Sequence, residues 1–146
     1  MNYDNLITNV GPKFPSVLRK AAVPSKTPVT IVLPLPPKEL SPNARVCRQA
    51  KARVVKRYRT IAGEAVFAEL VTNRRGPLAK ACEKATFFFA RNGRRDKDNL
   101  AASLKAAFDG FVDGGLLVDD AGLVHLPVEV AIDAERPRVE ITVVGL

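Results

Sequence analysis

Between Thr86 and Phe108 the chain changes its hydrophobic period once, and that change constrains the elements on either side. Thr86-Phe87-Phe88-Phe89-Ala90 has the aromatic and β-branched content of a strand. Leu100, Leu104 and Phe108 then recur at the spacing that places side chains on one stripe of a helix. Between the two lies Arg94-Arg95-Asp96-Lys97-Asp98-Asn99, so a strand end gives way to a helix start across a pair of acids. Asp96 and Asp98 share a face in extended backbone and diverge on a helix, and Asp98 is expected near the N-cap. Lys105 follows Asp98 by seven residues, two helical turns along the same side. Gly114-Gly115 and a short apolar run lead to Asp119-Asp120, of which only one can share the face of the first pair.

Acids gathered this way are unusual in a chain with 23 Lys and Arg against 15 Asp and Glu. Carboxylates crowded together repel one another unless a cation compensates them, either a divalent metal or the neighbouring Arg94 and Arg95. In the metal reading, three acids and Lys105 converge from three elements to hydrolyse a phosphodiester. Magnesium takes one or two carboxylates, keeps several waters and completes its shell with phosphate oxygens. The metal activates water and stabilises charge on the phosphate, and an ammonium beside it orients the water or neutralises the leaving oxygen. In the plainer reading Asp98 is an N-cap, Asp96 a first-turn dipole partner and Asp119-Asp120 turn residues. On physics alone the two stand level.

Arg95-Asp96-x-Asp98-Asn99-Leu100, a lysine in the next helix, Asp109-Gly110 and the closing Asp119-Asp120 resemble the signature of the RusA-like Holliday-junction resolvases. The likeness runs from about Val29 to the C-terminus through Leu35-Pro36-Pro37 and Pro42-Asn43, which look like that family's opening strand and Pro-rich turn. Only the central motif is specific. The resemblance implies a small homodimeric endonuclease, of a kind often found in phages and prophages. Such an enzyme depends on magnesium, with manganese as a substitute, and resolves four-way DNA junctions by paired symmetric nicks in recombination and repair. Carried over residue by residue, the catalytic set falls on Asp96, Asp98, Lys105 and Asp120. Metal binding falls on Asp96, Asp98 and Asp120, with Asp119 supporting or sharing the site. One departure stands out. The best-known members place the lysine four residues after the second acid, so Lys105 keeps its side of the helix but sits nearly a turn farther along.

The fold class expected is α+β, a small mixed sheet of about four strands with two main helices on one face, in the order β-α-β-α-β-β. One domain over residues 27–146 follows an N-terminal extension, 1–26, with Pro12, Pro15, Pro24 and a short helical turn around Ser16 to Ala22. Pro28 to Leu35, with Val29-Thr30-Ile31-Val32-Leu33 at its heart, is a strand by its β-branched content. Ser41-Pro42 resembles an N-cap with proline at the first helical position. The helix it introduces, about Ala44 to Thr72, should bury Val46, Ala50, Val54, Ile61 and Ala65. Leu123 to Ile132 and Arg138 to Val144 read as two strands pairing as a hairpin through a turn at Asp133 to Pro137. Val139, Ile141 and Val143 should face inward, and Pro127 marks an edge or a bulge.

The first half of the long helix carries Arg45, Arg48, Lys51, Arg53, Lys56, Arg57 and Arg59 without an acid. Such a run is most often a solvated face, but with a net charge of +8 it favours phosphate contact. Arg91, Arg94 and Arg95, around the Asn92-Gly93 turn, are the other DNA candidates. Core packing accounts for at least two of Phe87, Phe88 and Phe89, although one apolar side chain at a junction's branch point would suit a wedge. His125, the single histidine, argues against histidine-based nuclease motifs and is expected to be an ordinary strand residue. Cys47 and Cys82 lack CxxC spacing and are expected as free buried thiols. No apolar run approaches a membrane span, so a cytoplasmic location is expected. The rival to a nuclease is a catalytically inactive nucleic-acid-binding protein whose acids cap helices and pair with Arg94 and Arg95. A nuclease of the same fold acting on other branched DNA is the third possibility.

Overall fold

The longest strand takes the middle of the sheet and draws partners to both sides. The computed structural model describes residues 27–73 and 75–146. β1 (Val29–Leu33) pairs antiparallel with β5 (Arg138–Gly145), and β5 pairs antiparallel with β2 (Ala81–Phe89). β3 (Leu123–His125) and β4 (Glu129–Ile132) lie along the other side of β2, both parallel to it. The result is a five-stranded mixed sheet in which β3 and β4 act as two pieces of one edge. Among the described residues three helices complete the fold: α1 (Arg48–Asn73), α2 (Lys97–Ala102) and α3 (Lys105–Gly114). Short 3-10 turns cover Lys38–Leu40 and Asp120–Gly122. This is the α+β architecture expected, with α1 and α3 as its main helices.

Alternation decides which face is covered. Val29, Ile31 and Leu33 on β1, Ala81, Ala85 and Phe87 on β2, and Val139, Ile141 and Val143 on β5 are buried. Apart from Glu83, which is buried in step with Ala81 and Ala85, the residues between them are half-buried or exposed, so one side of the sheet faces the helices. Each large apolar side chain buried this way is worth about 1.5–3 kcal/mol against its exposed state. The helices approach closely because small residues line their crossing: a Cβ on Gly114 would lie 2.7 Å from the Gly63 carbonyl oxygen. Arg59 clamps the same crossing, its Nη2 donating to Asp113 Oδ1 at 2.8 Å while Nε donates to the other oxygen.

Several local expectations are corrected. The two C-terminal strands do not form a hairpin, because β2 stands between β4 and β5. The connection passes over the end of β2, where the Asp133 N–H donates to the Phe89 carbonyl at 2.8 Å. Pro127 does fall at the sheet edge, in the gap between β3 and β4. α1 starts at Arg48, because Ser41 ends the preceding 3-10 turn and accepts the Ala44 N–H, closing a separate turn around Pro42-Asn43. Its buried stripe is Tyr58, Ala62, Val66 and Leu70; Val54, Ile61 and Ala65 pack only at the margin, and Val46 and Ala50 lie ahead of the core. Tyr58 takes the central place because its ring fills the core while its hydroxyl donates to the Pro34 carbonyl at 2.8 Å. The helix expected through Leu100 to Phe108 is broken at Ser103-Leu104. There the Ser103 hydroxyl donates to the Leu100 carbonyl at 2.6 Å and the Leu104 N–H bonds only three residues back. Both cysteines are free as expected, but Cys47 is exposed on the loop before α1 rather than buried. The expected N-terminal extension and its helical turn lie outside the described residues. Among those described, no helix is long and apolar enough to cross a membrane.

Candidate active site

The break at Ser103-Leu104 decides where the lysine goes. Lys105 becomes the first residue of α3 instead of the middle of a continuous helix. From there its ammonium lies 3.8 Å from Asp109 Oδ1, one turn along, and 3.5 Å from Asp120 Oδ2, which arrives from the turn after α3. Asp119 Oδ1 accepts the Ala121 N–H at 3.3 Å and caps the 3-10 turn. Gly115, at φ 93°, ends α3 in the left-handed conformation and turns the chain toward these acids.

Asp120 is the most electrostatically tuned acid of the motif. A hydrogen bond shared with the Asp119 side chain, then the Lys105 ammonium, hold its carboxyl below the usual carboxylate range. Asp119 and Asp120 are neighbouring carboxyl groups in the sequence. Their hard oxygen donors suit magnesium, which requires only one or two protein carboxylates. Among the described residues, no group of three or more His, Cys, Asp or Glu side chains is arranged to hold a metal ion. Two carboxylates, Asp119 and Asp120, are as many as magnesium requires of a protein.

Asp96 and Asp98 have exchanged their expected places. Asp96 is the N-cap of α2, its Oδ1 accepting from the Asp98 N–H at 2.9 Å and the Asn99 N–H at 3.3 Å. Asp98 sits in the first turn and is exposed. The extended backbone reaches Asp96 itself, so the cap falls on the first acid and not the second.

A cavity of about 340 Å³ opens beside Lys105 and Asp120, with Leu104, Phe108, Leu126 and Val128 on its apolar wall. Its floor carries two residues that the motif does not contain, Glu83 and His125. They are register partners on β2 and β3, and His125 Nδ1 lies 2.8 Å from Glu83 Oε1. His125 is thus in a strand, as expected, but it is paired rather than ordinary. The signal for Glu83 was available: an acid at the buried parity of β2, in step with Ala81, Ala85 and Phe87.

The basic candidates divide. Arg48, Lys51, Arg53, Lys56 and Arg57 are exposed on the N-terminal half of α1, and Arg45 is exposed just before it. Lys51 lines a second cavity with Lys105 and Asp109, so one end of the basic run adjoins the motif lysine. Arg59 is spoken for by Asp113. Arg91 and Arg94 are exposed, while Arg95 lies over the Phe89 ring at 3.8 Å and donates to the Arg91 carbonyl. Phe87 is in the core, Phe89 packs against it, and Phe88 is covered on the open face by Arg138.

No protein-family model and no curated protein sequence matches the chain.

Proposed function

We propose that this protein is a magnesium-dependent endonuclease of the RusA-like kind that acts in the cytoplasm, as a homodimer, on four-way DNA junctions. The observation that carries the reading is the contact of Lys105 with Asp120, residues from two separate elements, beside a cavity and the acid-free basic first half of α1. Asp119 and Asp120 would hold the metal, which when bound activates water and offsets charge on the phosphate. Lys105 places a positive charge where the scissile phosphate would lie, and Lys51 extends it toward α1. Arg53, Lys56 and Arg57 with Arg91 and Arg94 offer phosphate contacts for the junction arms. A junction has near two-fold symmetry, and paired nicks in opposing strands call for two sites related by a matching axis.

A second reading, a catalytically inactive DNA-binding protein, draws support from the capping roles of Asp96 and Asp119. Its other half, ion pairs from the acids to Arg94 and Arg95, is missing among the described residues. The deciding experiment incubates the protein with a labelled four-way junction, a flapped duplex and plain duplex, each with and without magnesium. Symmetric paired nicks in the junction that require magnesium support the proposal. Binding without cleavage supports the inactive protein, and preferential cutting of the flap points to another branched substrate.

A further inference from the structure

A carboxylate buried without a full set of partners is costly, and chains avoid one unless it serves something. Glu83 is such a group. Its side chain is 4% exposed, and Oε2 has no hydrogen-bond partner among the described residues. Oε1 pairs with Nδ1 of His125, directly across the β2–β3 ladder. The strands that set this pair are locked beside it, the Leu126 N–H donating to the Glu83 carbonyl at 2.9 Å.

The His125 ring is fixed on two sides. Glu83 holds Nδ1, and Phe108 packs on the ring with centroids 4.9 Å apart. With Glu83 ionised, Nδ1–H donates to it, and the ring is left in the tautomer whose Nε2 lone pair is free. The side chain is 54% exposed at the cavity that also holds Lys105 and Asp120, so that lone pair is open to water and substrate. The charged groups facing the ring are Glu83 from β2, Lys105 from α3 and Asp120 from the turn after it. Lys105 and Asp120 pair with each other at 3.5 Å, which leaves Glu83 as the charge that sets the ring.

We propose that His125, positioned by the buried Glu83, is the general base that takes a proton from the attacking water at this cavity. The inference rests on the nuclease reading above and adds to it a base that lies outside the acid motif. The water oxygen bonds to phosphorus as the ester P–O bond breaks, and the water's proton passes to Nε2. The departing oxygen takes a proton from solvent and the imidazolium returns its own, so the net reaction consumes a water molecule. Carboxylate, imidazole and substrate then stand in the order that fixes a base's tautomer and orientation in other hydrolases.

The test has an arm that does not need activity. The chain has a single histidine, so a long-range proton–nitrogen NMR spectrum reports this ring alone. The expected spectrum shows the Nδ1–H tautomer in the unmodified protein and a shift toward Nε2–H in Glu83→Gln. On a four-way junction in magnesium, His125→Ala should cut about 10²–10⁴-fold more slowly, lose the acid limb of the pH–rate profile, and recover in part with added imidazole. Should that variant melt early, His125→Gln, which retains a donor for Glu83, supplies the same comparison. An Nε2–H tautomer in the unmodified protein overturns the proposal whatever the nuclease result. So does a His125→Ala protein that cuts at the normal rate with its acid limb intact. If the unmodified protein cuts no junction, the nuclease reading fails and takes the base's role with it, and the spectrum then shows whether the dyad stands alone.

Discussion

Asp96 Oδ1 accepts the backbone N–H of Asp98, so one acid of the motif caps the helix whose first turn carries the other. The same carboxylate cannot be removed without disturbing both the helix and any ligand it serves. Asparagine separates the two effects, because it caps about as well as aspartate but carries no charge. Asp96→Ala should therefore cost about 0.5–2 kcal/mol of stability, and Asp96→Asn only a few tenths. Asp98→Asn, an exposed first-turn change, should leave the melting temperature nearly unmoved. Under the nuclease reading Asp120→Asn loses junction cleavage while binding DNA at least as well without metal; the family resemblance would extend that loss to Asp96→Asn and Asp98→Asn, whereas a metal held by Asp119 and Asp120 alone would spare them. Melting curves beside nicking rates decide it, and an Asp98→Asn protein cutting normally would remove Asp98 from the mechanism.

The basic half of α1 gives a second expectation. Arg53 and Arg57 lie one turn apart and exposed. If they meet phosphates, Arg53→Ala with Arg57→Ala should weaken binding to junction and duplex alike. The slope of log affinity against log salt should flatten by about two phosphate contacts' worth, roughly 0.9 each. Fluorescence anisotropy at several salt concentrations measures both. An unchanged slope means that this helix face is merely solvated.

What the sequence made legible follows its short-range signals. β1 announced itself by its β-branched content and β5 by the inward spacing of Val139, Ile141 and Val143, and the order of elements followed from Phe87-Phe88-Phe89 and the Leu100 stripe. Long-range partnership was not legible. Nothing local distinguishes a turn at Asp133 to Pro137 that folds a hairpin from one that steps over β2. The choice depends on β2 competing for both neighbours. The break at Ser103-Leu104 was equally hidden, since Ser103 is tolerated in a helix until its hydroxyl bonds backward. The Glu83–His125 pair needed the β2–β3 register, which no spacing in the sequence encodes. Lys105 and Asp120 were named by resemblance, and their approach to 3.5 Å depends on that unforeseen helix break.

The α1–α3 crossing yields a stability expectation. A Cβ at Gly114 would meet the Gly63 carbonyl oxygen at 2.7 Å and Val66 Cγ1 at 2.8 Å, both on the facing helix. Neither is the far end of a flexible side chain, so the helices must move apart. Gly114→Ala should destabilise by about 1–3 kcal/mol despite alanine's better helix propensity. Gly93→Ala, whose nearest contact is an Arg95 guanidinium nitrogen at 3.9 Å, is the control and should change little. Urea midpoints at equal m-value report the difference.

Glu83 leaves a signature in the pH dependence of folding. Burial pushes its carboxyl above the ordinary 4.5, and the contact with His125 opposes that shift. The folded protein thus holds this proton more tightly than the unfolded chain does. By linkage, the stability contributed by protonated Glu83 is fully present below the unfolded value and is lost as pH rises through the raised folded value. Glu83→Gln cannot titrate, so its stability relative to the unmodified protein should climb with pH over that window and then level off. Asp120 and Asp133, both held below the usual range, titrate in each protein and drop out of the difference. Removing the opposing contact should exaggerate the effect, so in a His125→Ala background the climb should extend to higher pH. Thermal melts of the four proteins from about pH 3.5 to 8 measure it. A difference that stays flat across that range would mean that Glu83 is ionised as easily folded as unfolded. Its burial would then have no effect on its proton.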